Sequence, residues 1–104
     1  MKNQIKISAV IITLNEQKAL PAFLDSLWFA DEIIILDSYS TDSTLAIAKE
    51  HEKVKVFQRT FDDFSTQKNV AIGKATHDWI VFFDPDEKIT KQLSQEILST
   101  LKDP

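Results

Sequence analysis

Two carboxylates one residue apart, Asp84 and Asp86, follow the apolar run Trp79–Phe83, and Pro85 fixes the backbone between them. Held roughly 4 Å apart, two such charges repel by about 4 kcal/mol at an effective dielectric near 20. A bound cation relieves that repulsion. Oxygen donors suit a hard ion such as Mg²⁺ or Mn²⁺, and an incomplete protein shell leaves positions for water and for the phosphates of a nucleotide. The same stretch, Asp84-Pro85-Asp86-Glu87, also reads as a polar turn capping the next helix, and the D-x-D spacing alone does not choose between the two.

Other candidates stand where apolar runs end. Thr13-Leu14-Asn15 closes the first run, and Asp37-Ser38 closes the second. Asp37 is either part of a polar site or a turn carboxylate satisfied by backbone N–H groups. Lys68, between Gln67 and Asn69, is either a cation placed to meet a diphosphate or a solvated lysine. His51 and His77 lack metal-ligand spacing and read as loop histidines. Trp28, Phe29, Phe61, Phe64 and Trp79 read as packing residues.

These residues need a scaffold. Four β-branched or aromatic runs, residues 5–13, 32–37, 54–57 and 79–83, predict strands. Leu20, Phe23, Leu24, Leu27 and Trp28 share one helical face, with Pro21 in the first turn, where a missing N–H costs nothing. A second helix is expected from Ser40 or Thr41 to about His51, and a third over residues 65–75. A fourth, capped by Thr90, carries Leu93, Ile97 and Leu101. Strands alternating with helices through short connections require a parallel sheet covered on both faces, hence a three-layer α/β/α fold formed by residues 1–104 as one domain. Ligands of such sheets bind beyond the carboxyl ends of the strands. Thr13, Asn15, Asp37, Asp84 and Asp86 are therefore expected to converge there.

Composition narrows the chemistry. The 104 residues are 43% apolar and 27% charged, as in a folded domain, and the net charge of −4 disfavours nucleic acid as a partner. No cysteine is present, which excludes disulfides, zinc-thiolate sites and thiol catalysis. The single glycine, Gly73, rules out both a G-x-G-x-x-G dinucleotide loop and a Gly-rich phosphate loop. The apolar stretch at Ala9 to Ile12 is too short for a membrane span, so the expected location is the cytosol.

Taken together, several motifs resemble the inverting glycosyltransferases of family 2, which have the GT-A fold, and among them the bacterial lipopolysaccharide-core glucosyltransferase group. The likeness lies in Ile11-Ile12-Thr13-Leu14-Asn15-Glu16, in Ala30-Asp31-Glu32 leading to Leu36-Asp37-Ser38 and Ser40-Thr41-Asp42, in Gln67-Lys68-Asn69, and in Asp78-Trp79 leading to Asp84-Pro85-Asp86-Glu87. It implies the nucleotide-binding half of a GT-A fold, with a Rossmann-like sheet in the order 3-2-1-4. It also implies a nucleotide diphosphate sugar as donor, a UDP-sugar above all, used in lipopolysaccharide or other cell-surface glycan synthesis. In the resemblance Asp37 lies near the base, Asp84 near the ribose, and Asp86 holds a divalent cation, Mn²⁺ or Mg²⁺, on the diphosphate. Thr13, Asn15 and Lys68 line the nucleotide pocket. Where many relatives have an aromatic, and an acidic residue or glycine, this sequence has Leu14, Ser38 and Tyr39. Family members continue for a further hundred residues or more that carry the acceptor site and the catalytic base. The expectation is thus a truncated, donor-binding domain without a catalytic residue of its own, inactive alone, whose full-length enzyme works at the inner membrane face.

Two other readings share the α/β layout. A non-catalytic module would act through protein contacts, with the Trp79–Phe83 strand at a sheet edge open to self-association into a homo-oligomer. A phosphoacceptor receiver domain would need an acidic pair directly after the first strand, where Thr13-Leu14-Asn15 stands.

Overall fold

The sheet carries its most apolar strand in the interior. A computed structural model describes residues 6–84 and 91–102. In chain order the elements are β1 (Ile7–Thr13), α1 (Leu20–Ser26), β2 (Glu32–Asp37), α2 (Thr44–Glu50), β3 (Val54–Gln58), α3 (Phe64–Gly73), β4 (Trp79–Phe83) and α4 (Lys91–Lys102). All strand pairings are parallel and the order is β3-β2-β1-β4, as expected.

Alternate residues of each strand feed opposite layers. Ile7, Ala9, Ile11, Ile33 and Ile35 pack with Leu20, Phe23 and Leu24 of α1, with Ala48 of α2, and with Ile97 of α4. Val10, Ile34 and Leu36 face the other way, against Ala71, Val70 and Ile72 of α3. Helices therefore cover both faces, which is why every residue of β2 is buried. Each such aliphatic side chain contributes about 1.5–3 kcal/mol on leaving water. Phe83 closes the first layer, its ring 6.0 Å from Phe23 and 6.3 Å from Phe29, both edge-on.

Several boundaries differ from the sequence expectation. Helix α2 starts at Thr44, not at Ser40 or Thr41, and its cap residue Ser43 makes no side-chain cap bond. The hydroxyl of Ser40 and the N–H of Thr41 are engaged elsewhere, as described below. Helix α3 starts at Phe64, capped by Asp63, whose side chain accepts from the Thr66 N–H, and it ends at Gly73. Helix α1 stops at Ser26, so Trp28 leaves the apolar face and is 47% exposed. Ile5, the expected start of β1, and Thr90, the expected cap of α4, lie outside the described residues.

The sheet edge formed by β4 follows the expectation. Trp79 and Ile80, at 45% and 39% exposure, leave an apolar rim on an outer strand. No helix among the described residues is long and apolar enough to cross a membrane.

Candidate functional site

The carboxyl ends of β1 and β2 are joined by a dense polar network. Register places Thr13 opposite Asp37, and the Thr13 hydroxyl donates to Asp37 Oδ1 at 2.7 Å. Asp37 also accepts from the Ser40 N–H at Oδ2, 2.8 Å, and from the Ser40 hydroxyl at Oδ1. The carboxylate is fully buried. Two of its bonds turn back onto its own loop, the turn role that the sequence left open, and the third ties that loop to the end of β1.

Asn15 supplies the second tie. Its N–H donates to Ser40 Oγ at 2.8 Å, and its side-chain oxygen accepts from the Thr41 N–H at 2.8 Å and the Asp42 N–H at 3.3 Å. To do this Asn15 adopts φ 54°, in the left-handed region that asparagine tolerates better than most residues. Further along, the Glu16 N–H donates to Thr44 Oγ1 and the Ser43 N–H to Gln17 Oε1. Burial would raise the Asp42 carboxyl, yet hydrogen bonds from Thr44 and the Gln17 N–H hold it below its ordinary range. This cross-bracing ties residues 40–43 into a bent segment, and α2 begins only after it.

A third element reaches the same loops from the other face. Gln67, fully buried in α3, donates through Nε2 to Ser38 Oγ at 3.0 Å and to the Arg59 carbonyl at 2.9 Å. Its oxygen accepts from Arg59 Nη1 at 2.7 Å. Arg59 in turn grips Asp62 with two parallel hydrogen bonds, 2.9 and 3.1 Å, which draw the Asp62 carboxyl down to about 2 and raise the guanidinium. Sequence reasoning assigned no role to Gln67 or Arg59. A polar side chain at the start of a helix reads as solvated, and no local pattern shows that it faces the sheet.

Lys68, on α3, and Asp84, directly after β4, lie beside the neighbouring strand β4. Lys68 Nζ lies 4.8 Å from the centre of the Phe82 ring, a cation–π contact. Phe82 is two residues before Asp84, a step of roughly 7 Å along a strand. Asp84 follows β4 directly and is exposed. Because β1 lies between β4 and β2, Asp84 and Asp37 are separated by two strand spacings, about 10 Å. Asp86, the expected metal ligand, lies outside the described residues. The structure thus gathers Thr13, Asn15 and Asp37 into one cluster, sets Asp84 at the same end of the sheet, and sets Lys68 against Phe82 on the α3 face.

The opposite end of the sheet holds a different carboxylate. Glu32, buried at the start of β2, accepts from Ser8 Oγ, from the Thr76 N–H and hydroxyl at 2.7 and 2.8 Å, and from Lys55 Nζ at 3.1 Å. Burial raises its carboxyl, but the bonds from Ser8, Thr76 and Lys55 outweigh this and bring it to about 2. It staples the turn before β4 to the sheet, far from the loops above.

Comparison with known proteins follows the same lines. The pattern of glycosyl transferase family 2 matches residues 8–104. An uncharacterized glycosyltransferase of Rickettsia felis is 41% identical over 93 residues, covering 88% of this chain and 32% of that protein. A TPR repeat-containing protein of Synechococcus elongatus is 38% identical over 100 residues, 95% of this chain and 25% of its own length. Among solved structures, glucosyl-3-phosphoglycerate synthase from Mycobacterium tuberculosis, in complex with Mn²⁺, UDP and glucosyl-3-phosphoglycerate, superposes with a TM-score of 0.66 and 27% identity. The match covers 79% of this chain and 34% of that one. The chain spans about a third of the length of the Rickettsia felis relative and of this structure.

Proposed function

The chain belongs to glycosyl transferase family 2 and carries the Rossmann-like sheet of a GT-A fold, and from that premise we propose that residues 1–104 form a donor-binding unit for a nucleotide diphosphate sugar. The carrying observation is the braced pair of loops after β1 and β2, which shares one end of the sheet with Asp84, directly after β4. In this reading Thr13 and Asp37 set the floor of the nucleotide site, Asn15 fixes its rim, and Asp84 lies toward the ribose. Lys68 approaches the diphosphate from α3. UDP is the preferred nucleotide, since the structural neighbour from Mycobacterium tuberculosis was solved with UDP and Mn²⁺.

The donor set fits a hard divalent cation. Asp84, exposed at the end of an apolar strand, bears a carboxylate of the oxygen chemistry that such an ion takes. In this reading Asp86 would hold the ion on the diphosphate. When bound, the ion supplies charge stabilisation for the departing nucleoside diphosphate. The chain's own residues bind and orient the donor, and none of them is assigned the general base. We assign the parent reaction to inverting transfer within lipopolysaccharide or other cell-surface glycan synthesis, at the cytoplasmic face of the membrane.

Calorimetry with UDP tests the assignment. The wild-type chain is expected to bind in the presence of Mn²⁺ and to lose at least about tenfold in affinity when the metal is chelated, and Asp86→Asn is expected to abolish that metal dependence. Equal heats for wild type and Asp86→Asn would remove Asp86 from the metal site.

The exposed rim of β4 supports a second property, self-association through Trp79 and Ile80. An outer strand presents unpaired N–H and C=O groups beside apolar side chains, a template for pairing with another copy.

A further inference from the structure

Strand β4 is apolar at every position, Trp79-Ile80-Val81-Phe82-Phe83. A register slip is normally penalised because it moves the core set of side chains to the solvent face, and a uniformly apolar strand lacks that penalty. An advance by one residue toward the carboxyl end of the sheet sets Phe82 in the place of Phe83, Ile80 in that of Val81 and Trp79 in that of Ile80. The first place is edge-on to Phe23 and Phe29, the second lies against the α1 layer of the core, and the third is half-exposed. The place of Phe82, beside Phe64, takes Val81, and the place opposite Ile7, where Trp79 is 45% exposed, takes Asp78. The same step carries Asp84 about 3.3 Å outward and turns its side chain to the other face.

Polar anchors at the amino end oppose this slip. Thr76, three residues before β4, donates to Glu32 Oε2 through its N–H at 2.7 Å and its hydroxyl at 2.8 Å. The His77 N–H donates to Ser8 Oγ at 3.3 Å, and Ser8 Oγ donates to the same Glu32 oxygen. Ser8 stands opposite Glu32 in β2 and opposite Ile80 in β4, while Lys55 of β3 holds the other oxygen of Glu32. One buried carboxylate thus refers the entry of β4 to the other three strands. Its bonds are directional and are lost when the strand advances, whereas apolar contacts re-form. Resting on the donor-binding reading above, we propose that Glu32 sets the register of β4 and is thereby a positioning residue for Asp84 at the far end of the strand. A displacement of about 3.3 Å takes a carboxylate out of hydrogen-bond reach of a ligand.

The test follows nuclear Overhauser contacts between the backbone protons of β1 and β4 in the labelled chain, together with calorimetry of UDP in the presence of Mn²⁺ and thermal melting. Glu32→Ala is expected to show contacts displaced by one residue, Ile7 with Asp78 in place of Ile7 with Trp79, and to lose about tenfold in UDP affinity. Glu32→Gln keeps an acceptor oxygen for Thr76, and Lys55→Met removes the ion pair alone. Both are expected to keep the wild-type contacts and a UDP affinity within about twofold of wild type, even where they melt lower. A merely structural Glu32 would lower melting in these variants and move the contacts in none. Wild-type contacts alone in Glu32→Ala would therefore overturn the register assignment, and displaced contacts with unchanged UDP affinity would overturn the link to Asp84. Should Glu32→Ala fail to fold, Ser8→Ala combined with Thr76→Ala is held to the same two outcomes. A wild-type chain that does not bind UDP would defeat the donor reading, while the contacts would still decide whether Glu32 sets the register.

Discussion

At the scale of single residues, two buried carboxylates carry opposite duties. Asp37 organises the working end of the sheet through its bonds to Thr13 and Ser40. Replacing it with alanine leaves the Ser40 N–H and two hydroxyls without their acceptor, so Asp37→Ala should cost on the order of 2–4 kcal/mol in urea unfolding. A loss below about 0.5 kcal/mol would show that those bonds add little. Glu32 braces the other end. Its carboxyl is depressed from 4.5 to about 2 in the folded chain, so the stability it confers is complete above the ordinary carboxylate range and is lost as pH falls from about 4.5 to about 2. The contribution is on the order of 3 kcal/mol. Glu32→Gln should lower stability at neutral pH and flatten the acid limb of a stability-versus-pH curve; an unchanged acid limb would contradict the assignment. Asp37 was legible in the sequence as a polar strand end. Glu32 was not, because its partners Ser8, Lys55 and Thr76 come from three other parts of the chain, and only the register of the strands brings them together.

Elements were legible where periodicity is strong and obscure where side chains compete with the backbone. The order β3-β2-β1-β4 and the spans of β2 and β4 agree with the expectation, since apolar runs bounded by polar turns carry their own limits. The start of α2 does not, because Ser40, Thr41 and Asp42 spend their hydrogen-bonding capacity on the loop at Asn15. The start of α3 lies two residues beyond a carboxylate, Asp62, that pairs with Arg59, leaving Asp63 as the cap. Asp63→Ala should cost about 1 kcal/mol in thermal or urea unfolding. At the β4 edge, Ile80→Lys is expected to shift sedimentation toward monomer without loss of folding. Wild type that sediments as a monomer at high concentration would remove the edge as an association surface.

For the whole molecule, the division between the two ends of the sheet is the functional statement. Loops after β1 and β2 are cross-braced by Asn15 and backed by Gln67, while Asp84 after β4 stands two strands from Asp37. The amino-terminal end is closed by Glu32 and Thr76. The placement of Thr13, Asn15, Asp37 and Asp84 at one end was legible from strand ends alone. The bracing role of Gln67 was not, since burial leaves no mark in local sequence. Nuclear magnetic resonance of the labelled chain with UDP and Mn²⁺ tests the central claim most directly, because the paramagnetic ion broadens only nearby amide signals. The account predicts UDP-dependent broadening at residues 13–15, 38–40 and 84–86, with Glu32 and Thr76 untouched. Broadening centred on Glu32 and Thr76, or none that depends on UDP, would contradict it.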